Sequence, residues 1–350
     1  MSGAHRIMVA MSGGVDSSVA AALLAEAGHD VVGVTLKLWG GASDSGCCSI
    51  SDVDDARRVA DQLGIEHHTF NFADDFDARV VQPYIAAHAA GRTPNPCIEC
   101  NRHIKFARLA ERAHALGFDH LATGHHARVV TRADGTRRIA RGVDAAKDQS
   151  YVLAMLDQGR LAGLDLPIGH LPKSEVRAIA ERLGLRTANK PDSQDVCFIT
   201  SVSKRSGFLA ERMPLTPGTV VDTDGTTVGS VSSVELVTIG QRRGLHLAGG
   251  TAPRYVVDTD LASRTVTVGR RSDLFAESTA VAEITWSAAA EWGPVLAQTR
   301  AHGAAETAVV TDSGDGTAVV TWDEPHLRVA PGQTVAFYRD DLVLGSGTAV

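Results

Sequence analysis

Apolar and polar positions follow one pattern from residue 5 to about residue 125, where short apolar runs alternate with amphipathic segments of ten or more residues. This alternation predicts βαβ units and a parallel sheet covered on both faces, an α/β fold. Such a sheet binds ligands beyond the carboxyl ends of its strands, here the loops at 12–16, 36–51 and 124–126. The predicted strands are Arg6–Met11, Asp30–Leu36, Glu66–Phe72 and His120–Gly124, and the predicted helices are Ser17–Ala27, Asp52–Leu63, Ala73–Ala89 and Asn101–Leu116.

The pattern changes in the second half of the chain. Residues 128–141 predict a hairpin around Asp134-Gly135, and Pro172–Leu183 predicts a helix. After about residue 207, Gly, Thr and Val increase and β-branched residues alternate, which indicates β-rich domains with a small barrel at the end. The alternating runs are Arg264–Val268, Ala308–Thr311 and Thr317–Trp322. We therefore predict three domains, over residues 1–206, 207–270 and 271–350.

Composition is that of an ordinary soluble globular protein, with 350 residues, 44% of them apolar and 21% charged. The first apolar run spans only Ile7–Met11, and no run approaches membrane-spanning length, so we expect a cytoplasmic protein without a membrane partner.

Charge is distributed unevenly along the chain. The formal net charge of -7 argues against a polyanionic partner, but residues 101–250 carry 21 basic and 15 acidic side chains between two acidic ends. Four of these basic residues recur at spacings of three and four, which predicts one basic helix face, either solvated or bound to an RNA backbone. They are Arg102, Lys105, Arg108 and Arg112.

The strongest local motif is Ser12-Gly13-Gly14-Val15-Asp16-Ser17-Ser18, between the first predicted strand and helix. Glycines let the backbone approach a ligand, the helix start attracts an anion, and Asp16 can hold a Mg²⁺ that bridges phosphate oxygens. The alternative is a plain turn with Asp16 near a helix start. The motif resembles the signature of the ATP pyrophosphatase (PP-loop) superfamily, whose members cleave ATP between the α and β phosphates and leave AMP on a substrate oxygen.

Five cysteines, an odd number in a long chain, argue against a disulfide scaffold and for thiol chemistry or metal ligation. Cys97 and Cys100 follow a proline-stiffened loop and precede a helix predicted to begin near Asn101, which favours a reactive thiolate at Cys100. Cys197 lies about a hundred residues later. The alternatives are a core position for Cys197, a loop or packed position for Cys47 and Cys48, or a structural zinc site that uses both pairs.

Six motifs, in order along nearly the whole chain, resemble the tRNA-specific 2-thiouridylase family (MnmA/TrmU). The resemblance implies a PP-loop (adenine nucleotide alpha hydrolase-like) domain, a small central domain and a C-terminal β-barrel. It implies that ATP activates O2 of the wobble uridine of tRNA, and that a persulfide from a sulfur donor (a cysteine desulfurase or relay protein) replaces this oxygen, with release of AMP and pyrophosphate. The motifs are Ser12–Ser18, Pro94–Phe106, Ala122–His126, Lys147–Tyr151, Lys190–Gln194 and Pro331–Gln333.

Carried over residue by residue, the resemblance implies that Cys197 carries the persulfide and that Cys100 is the nucleophile. It assigns ATP to Ala10, Met11, Ser12, Gly13, Gly14, Val15, Asp16, Ser17, Leu36 and Gly124. It assigns the target base to Asn95, Pro96 and Cys97, and tRNA contacts to His125, Lys147, Asp148, Gln149, Arg300, Ala301 and Gln333.

This sequence departs from the family pattern at two positions. Cys97 stands where many members carry Asp, so Cys97, Cys100 and Cys197 form a possible three-thiolate set for a 4Fe-4S cluster with one open iron, and the cluster and persulfide routes both stay open. Ala301 stands where an aromatic residue is common. Two rival functions are another PP-loop ligase or amidotransferase that acts on a small substrate, and a non-catalytic zinc-dependent RNA-binding protein.

Overall fold

The structure, a computed structural model, describes residues 3–39, 50–192, 196–199, 204–247 and 252–350. The N-terminal strands are Arg6–Ala10 (β1), Asp30–Lys37 (β2), Glu66–Asn71 (β3), His120–Thr123 (β4) and Leu164–Asp165 (β7). They form a parallel sheet in the order β3-β2-β1-β4-β7. In β1, Ile7, Met8 and Val9 are at most 1% exposed, as expected for a central strand with both faces covered. The four predicted strands are confirmed, and β7 adds a fifth of only two residues.

Helices cover both faces of this sheet. Ile7 and Val9 belong to one apolar cluster and Met8 to the other, because successive side chains of a strand point to opposite faces. The α-helices are Val15–Glu26 (α1), Ile50–Leu63 (α2), Ala73–Phe76 (α3), Gln82–Ala89 (α4), Pro96–Glu99 (α5), Leu109–Ala115 (α6), Gln158–Leu161 (α7), Lys173–Arg182 (α8) and Lys204–Ala210 (α9). Within the described ranges, no helix is both long and apolar enough to cross a bilayer.

One predicted helix starts earlier than the sequence pattern indicates. The helix expected at Asn101–Leu116 begins at Pro96, continues through π-helical residues Cys100–Arg108 and ends with α6. Asn95 and Pro96 carry the missed signal, since an Asn cap followed by Pro in the first turn is a common helix start. A second π-helical segment, Asp77–Val81, joins α3 to α4.

Two β structures follow. The central one is a four-stranded sheet in the order β10-β11-β8-β9, formed by Gly218–Asp222 (β8), Thr227–Val231 (β9), Tyr255–Asp260 (β10) and Thr265–Gly269 (β11). The C-terminal one is an antiparallel barrel of Phe275–Trp286 (β12), Gly293–Gln298 (β13), Glu306–Gly314 (β14), Thr317–Leu327 (β15), Thr334–Arg339 (β16) and Leu342–Ala349 (β17). Pairing of β12 with β17 closes this barrel, as predicted. Short 3₁₀ segments lie at Ser150–Leu153 and Arg271–Leu274.

The predicted hairpin is present, and it also pairs with the C-terminal barrel, which the sequence pattern did not indicate. Its strands, Ala127–Thr131 (β5) and Arg137–Arg141 (β6), pair with each other, and β6 also pairs with β17 of the barrel. Arg138 is buried in this junction, donates to Ser287 Oγ at 3.0 Å and forms an ion pair with Glu291. Residues of the predicted first domain therefore extend the sheet of the predicted third domain.

We predict that Arg138→Gln lowers the free energy of unfolding by about 2 kcal/mol, because it removes a charge-assisted hydrogen bond from a buried position. Urea denaturation followed by tryptophan fluorescence measures the change. Arg132→Gln, in the exposed turn of the same hairpin, is the control. Equal effects of the two substitutions would show that Arg138 does not hold the junction.

Candidate active site at the carboxyl edge of the parallel sheet

The loop after β1 folds back on itself before α1. The backbone N–H of Ser12 donates to Ser17 Oγ at 3.1 Å, and Ser17 Oγ donates to the carbonyl of Gly14 at 3.2 Å. Ser18 Oγ donates to the same carbonyl at 2.8 Å. These bonds hold the loop around the start of α1, where backbone N–H groups and the helix dipole favour an anion.

Two glycines permit the close approaches that this loop requires. Gly13 has a φ of +72°, and a Cβ there would lie 2.2 Å from the carbonyl oxygen of Asp52. A Cβ on Gly124, which follows β4, would lie 2.5 Å from the backbone nitrogen of Ser17. The structure therefore brings together the phosphate loop and Gly124, two parts of the predicted ATP site that are a hundred residues apart in sequence.

The remaining residues of the predicted ATP site have buried side chains or lie at strand ends. Met11 and Val15 are 2% and 3% exposed, and Leu36 is 8% exposed near the end of β2. Ala10 is the last residue of β1. Any nucleotide contact of Met11, Val15 or Leu36 therefore involves mainly the backbone.

Asp16 is the charged centre of the site. Its two carboxylate oxygens each lie 2.7 Å from Lys173 Nζ, and one of them lies 3.0 Å from His126 Nε2. Burial raises the pKa of Asp16, but the hydrogen bonds with His126 and Lys173 outweigh it and lower the pKa below its ordinary value. An ionised carboxylate at the start of α1 fits a Mg²⁺ that is otherwise held by phosphates and water.

A second carboxylate, Asp192, extends this charge network. Asp192 lies 2.8 Å from Lys173 Nζ, 2.8 Å from Lys147 Nζ and 3.0 Å from Arg177 NH2. Burial raises the pKa of Asp192, but hydrogen bonds from Lys147 and Lys173 lower it to about 2. The sequence motifs include Lys147, Asp192 and His126 but not Lys173. Lys173, the first residue of α8, lies far from the loop in sequence and in no motif.

Lys190 fixes the phosphate loop from the other side. Its Nζ donates to the carbonyl of Gly13 at 3.0 Å and contacts Asp52 and Asp55 at 2.6 and 2.8 Å. One short segment thus contacts the loop directly through Lys190 and indirectly through Asp192 and Lys173.

The proline-stiffened loop leads into the helix that carries two of the cysteines. Asn95 Oδ1 accepts a hydrogen bond from the backbone of Cys97 at 3.0 Å and caps the helix. Cys97 is exposed in the first turn, and Cys100 is 8% exposed one turn later. The expectation that both precede the helix is wrong, because the cap lies at Asn95.

Cys197 borders the same apolar cluster to which Cys100 belongs. The ring of its neighbour Phe198 lies 5.7 Å from that of Phe76 and 5.4 Å from that of Tyr84, so the Cys197 segment is anchored in this cluster. Residues 193–195, together with Cys47 and Cys48, lie outside the described residues.

The three thiols bear on the expected choice between iron–sulfur and persulfide chemistry. Across the described ranges, which include Cys97, Cys100 and Cys197, no three His, Cys, Asp or Glu side chains are grouped so as to hold a metal ion. The choice between the iron–sulfur and persulfide routes stays a prediction.

Several predicted tRNA contacts have internal partners in the structure. His125 is 9% exposed and its Nδ1 lies 2.7 Å from Thr123 Oγ1, and burial lowers its pKa well below the ordinary value. The Asp148 carboxylate accepts from the backbone of Gly142 and Ser150 at 2.9 and 3.0 Å. Gln149 Oε1 accepts from the backbone of His126 at 2.9 Å. The assignment of these residues to tRNA stays a prediction.

The predicted contacts on the C-terminal domain differ in exposure. Arg300 is exposed, whereas Ala301 is half-buried against the large apolar cluster. Gln333 donates from its side chain to the carbonyl of Thr93, and Thr93 N donates to Pro331 O at 2.8 Å. The barrel therefore supports the loop that leads to Asn95, Pro96 and Cys97.

Three of the four residues of the predicted basic face, Arg102, Arg108 and Arg112, have neighbours within the protein. Arg102 contacts Glu99 at 3.6 Å, and Arg108 contacts Asp75 and Glu111, each at 3.0 Å. Arg112 lies over the ring of Phe70. Acidic neighbours offset part of the charge of Arg102 and Arg108, and a role of these residues in RNA binding stays a prediction.

Acid should weaken the network around Asp192. Its folded-state pKa of about 2 is below the ordinary 3.8, so its stabilisation is complete above about pH 4 and is lost as the pH falls toward 2. We predict that Asp192→Asn costs about 2 kcal/mol at neutral pH and progressively less below about pH 4. Urea denaturation between pH 7 and 3 tests this, with exposed Asp224→Asn as control. A pH-independent difference would contradict the prediction.

Comparisons with known proteins agree with this architecture. Three family models match in succession: the tRNA methyl transferase HUP domain over residues 5–201, the tRNA methyl transferase PRC-barrel domain over 206–270 and the aminomethyltransferase beta-barrel domain over 277–349. The chain is 48% identical to the tRNA-specific 2-thiouridylase MnmA of Streptomyces avermitilis, over 98% of this chain and 94% of that protein. It is 47% identical to the MnmA of Roseiflexus sp. (strain RS-1), over 98% of both chains. The three family models, together with these identities over 98% of the chain, show that the chain belongs to the tRNA-specific 2-thiouridylase (MnmA) family.

Proposed function

We propose that this protein is an ATP-dependent sulfurtransferase that replaces O2 of the wobble uridine of tRNA with sulfur. The observation that carries the proposal is the ion network that joins Asp16 of the phosphate loop through Lys173 to Asp192. Cys197 follows Asp192 by five residues, so its Cα lies within about 18 Å of that of Asp192. The chain connection thus limits how far the Cys197 thiol lies from the nucleotide site, which supports adenylation followed by sulfur transfer.

The first step activates a poor leaving group. O2 of the uridine attacks the α-phosphorus of ATP, the bond to pyrophosphate breaks, and C2 then carries an AMP group through its oxygen. The N–H groups at the start of α1 and Lys173 offset the phosphate charge, and Asp16 would hold the Mg²⁺ that neutralises the remainder. His126 orients Asp16 through Nε2.

The second step transfers sulfur. The terminal sulfur of a persulfide on Cys197 bonds to C2, and AMP leaves with the former O2 oxygen. Cys100 attacks Sγ of Cys197, which breaks the persulfide S–S bond and leaves a Cys100–Cys197 disulfide for an external thiol to reduce. Both residues border one apolar cluster, which supports this pairing. Cys97, exposed beside the capped helix start, contacts the target base together with Asn95 and Pro96.

Substitutions should separate the two steps. With unmodified tRNA, ATP, Mg²⁺ and a persulfide donor, we predict that the wild type forms 2-thiouridine and AMP. Cys197→Ser abolishes 2-thiouridine but still cleaves ATP to pyrophosphate, because the phosphate loop is intact. Ser17→Ala, which removes the hydroxyl that orders this loop, lowers both products at least tenfold. Mass spectrometry of nucleosides and chromatography of nucleotides measure them.

The same assay distinguishes the rival functions. ATP cleavage without any requirement for tRNA would favour a ligase acting on a small substrate. Binding of tRNA without nucleotide cleavage by the wild type would favour a non-catalytic RNA-binding protein.

Iron should be dispensable if the persulfide route is used. We predict that protein freed of iron and acid-labile sulfide retains full activity with a persulfide donor, because the described thiols do not form a ligand set. Iron and sulfide analysis, the absorption spectrum and activity are measured on one anaerobic preparation before and after chelation. Activity that disappears on chelation and returns only with a reconstituted cluster would overturn the persulfide route.

A further inference from the structure

We propose that Arg141 is a positioning residue that couples tRNA bound at the Arg300–Ala301 loop of the barrel to the nucleotide site at Asp16. The inference rests on the proposed function, since it takes tRNA and ATP as the two ligands. It goes further by identifying where the two sites are joined. The junction lies at the end of β6, in the hairpin that extends the barrel sheet.

The guanidinium of Arg141 donates hydrogen bonds to residues of both domains. NH1 donates to Asp148 Oδ2 at 3.0 Å, and NH2 donates to Gln298 Oε1 at 2.9 Å. The guanidinium lies 4.0 Å from the centre of the Tyr338 ring, which fixes the plane of the fork. Each side of the fork thus has a different partner.

On the barrel side, Gln298 connects Arg141 to the Arg300–Ala301 loop. Gln298 is 2% exposed and ends β13, and its Nε2 donates to the carbonyls of Arg300 and Ala301 at 2.8 and 3.3 Å. Because its Oε1 is held by Arg141, the amide has one orientation. A tRNA that orders the Arg300–Ala301 loop therefore favours the arrangement in which Gln298 and Arg141 are bonded.

On the nucleotide side, Asp148 connects Arg141 to the segment that contacts His126. Its carboxylate accepts from Gly142 N and from both the N–H and Oγ of Ser150, which brackets Gln149. Gln149 and His126 exchange two hydrogen bonds of 2.9 Å, one through the Gln149 side chain and one through its backbone N–H. His126 Nε2 then contacts Asp16 at 3.0 Å. The contacts are continuous from the loop to the Mg²⁺-binding candidate.

Arginine is required for this arrangement because its planar fork reaches two acceptors at once. A lysine at this position would keep the charge beside Asp148 but would have one donor group rather than two fixed arms. Arg141→Lys therefore tests whether the positive charge alone is enough for the coupling.

Arg128 provides a matched control. It lies in the same hairpin, forms an ion pair with Asp341 of the barrel and donates to the backbone carbonyl of Arg141 at 2.8 Å. The contacts of its side chain do not include Asp148 or Gln298. An effect of hairpin docking alone should appear equally in Arg128→Gln and Arg141→Gln.

The experiment measures the dissociation constant of α,β-methylene-ATP with Mg²⁺ in the absence and presence of saturating tRNA. We expect tRNA to tighten nucleotide binding to the wild type by between about 5-fold and 150-fold, the usual range of coupling between two sites. In Arg141→Gln and Arg141→Lys this factor falls to less than about twofold, while the dissociation constant without tRNA changes by less than about threefold. Arg128→Gln retains the wild-type factor. Thermal unfolding confirms that each variant is folded.

A second variant changes the barrel-side partner of Arg141. Gln298→Leu removes the contact to the loop without altering Asp148, and it should also abolish the coupling factor. If Arg141→Gln does not fold, Gln298→Leu and Arg141→Lys still decide the outcome. The inference is overturned if wild type shows no coupling, if these variants keep it, or if Arg128→Gln loses it equally. A wild type that makes no 2-thiouridine would instead contradict the proposed function.

Discussion

The contact between Asp16 and Lys173 is the constraint on which the nucleotide site depends. The two residues are 157 positions apart, and His126 reaches Asp16 from 110 positions away. A half-buried ion pair adds little net stability, because desolvation offsets most of the attraction, but it fixes which groups meet. The positions of β1, β4 and α8 are thus tied to one carboxylate. An incoming phosphate can replace this carboxylate as the partner of Lys173, and a cation can replace the lysine at Asp16, without leaving a buried charge alone.

The hairpin of β5 and β6 imposes a second constraint. Arg138 is buried between the hairpin and the barrel, and the hydroxyl of Tyr151 donates to the carbonyls of Thr299 and Thr334 at 3.2 and 2.9 Å. These contacts join the catalytic domain to the barrel through covered polar groups, which are costly to expose unpaired. A macromolecular substrate bound to the barrel would therefore be held at a fixed distance from the phosphate loop.

The parts predicted well from the sequence are those set by local pattern. Apolar runs such as Ile7–Val9 specify a strand buried on both faces, and Ser12–Ser18 between strand and helix specifies a phosphate loop, because both signals lie within a few residues. Contacts between distant segments were not predictable in this way. Nothing around Lys173 indicates that it pairs with Asp16, and Arg137–Arg141 gives no sign that it adds to a barrel two hundred residues later. At Asn95-Pro96 the signal was local and was missed, which misplaced the start of the helix.

Burial also bears on the proposed order in which the cysteines act. Cys100 is 8% exposed and surrounded by apolar side chains, whereas Cys197 is half-buried at the edge of the same cluster. A protein that delivers a persulfide must approach a thiol from solvent, so Cys197 is the more accessible acceptor of the two. In the proposed reaction, Cys100 then reacts with a group that already borders the cluster. In the proposed reaction, the restricted access of Cys100 favours attack on Cys197 over exchange with disulfides in solution, which would otherwise consume the nucleophile before sulfur reaches the uridine.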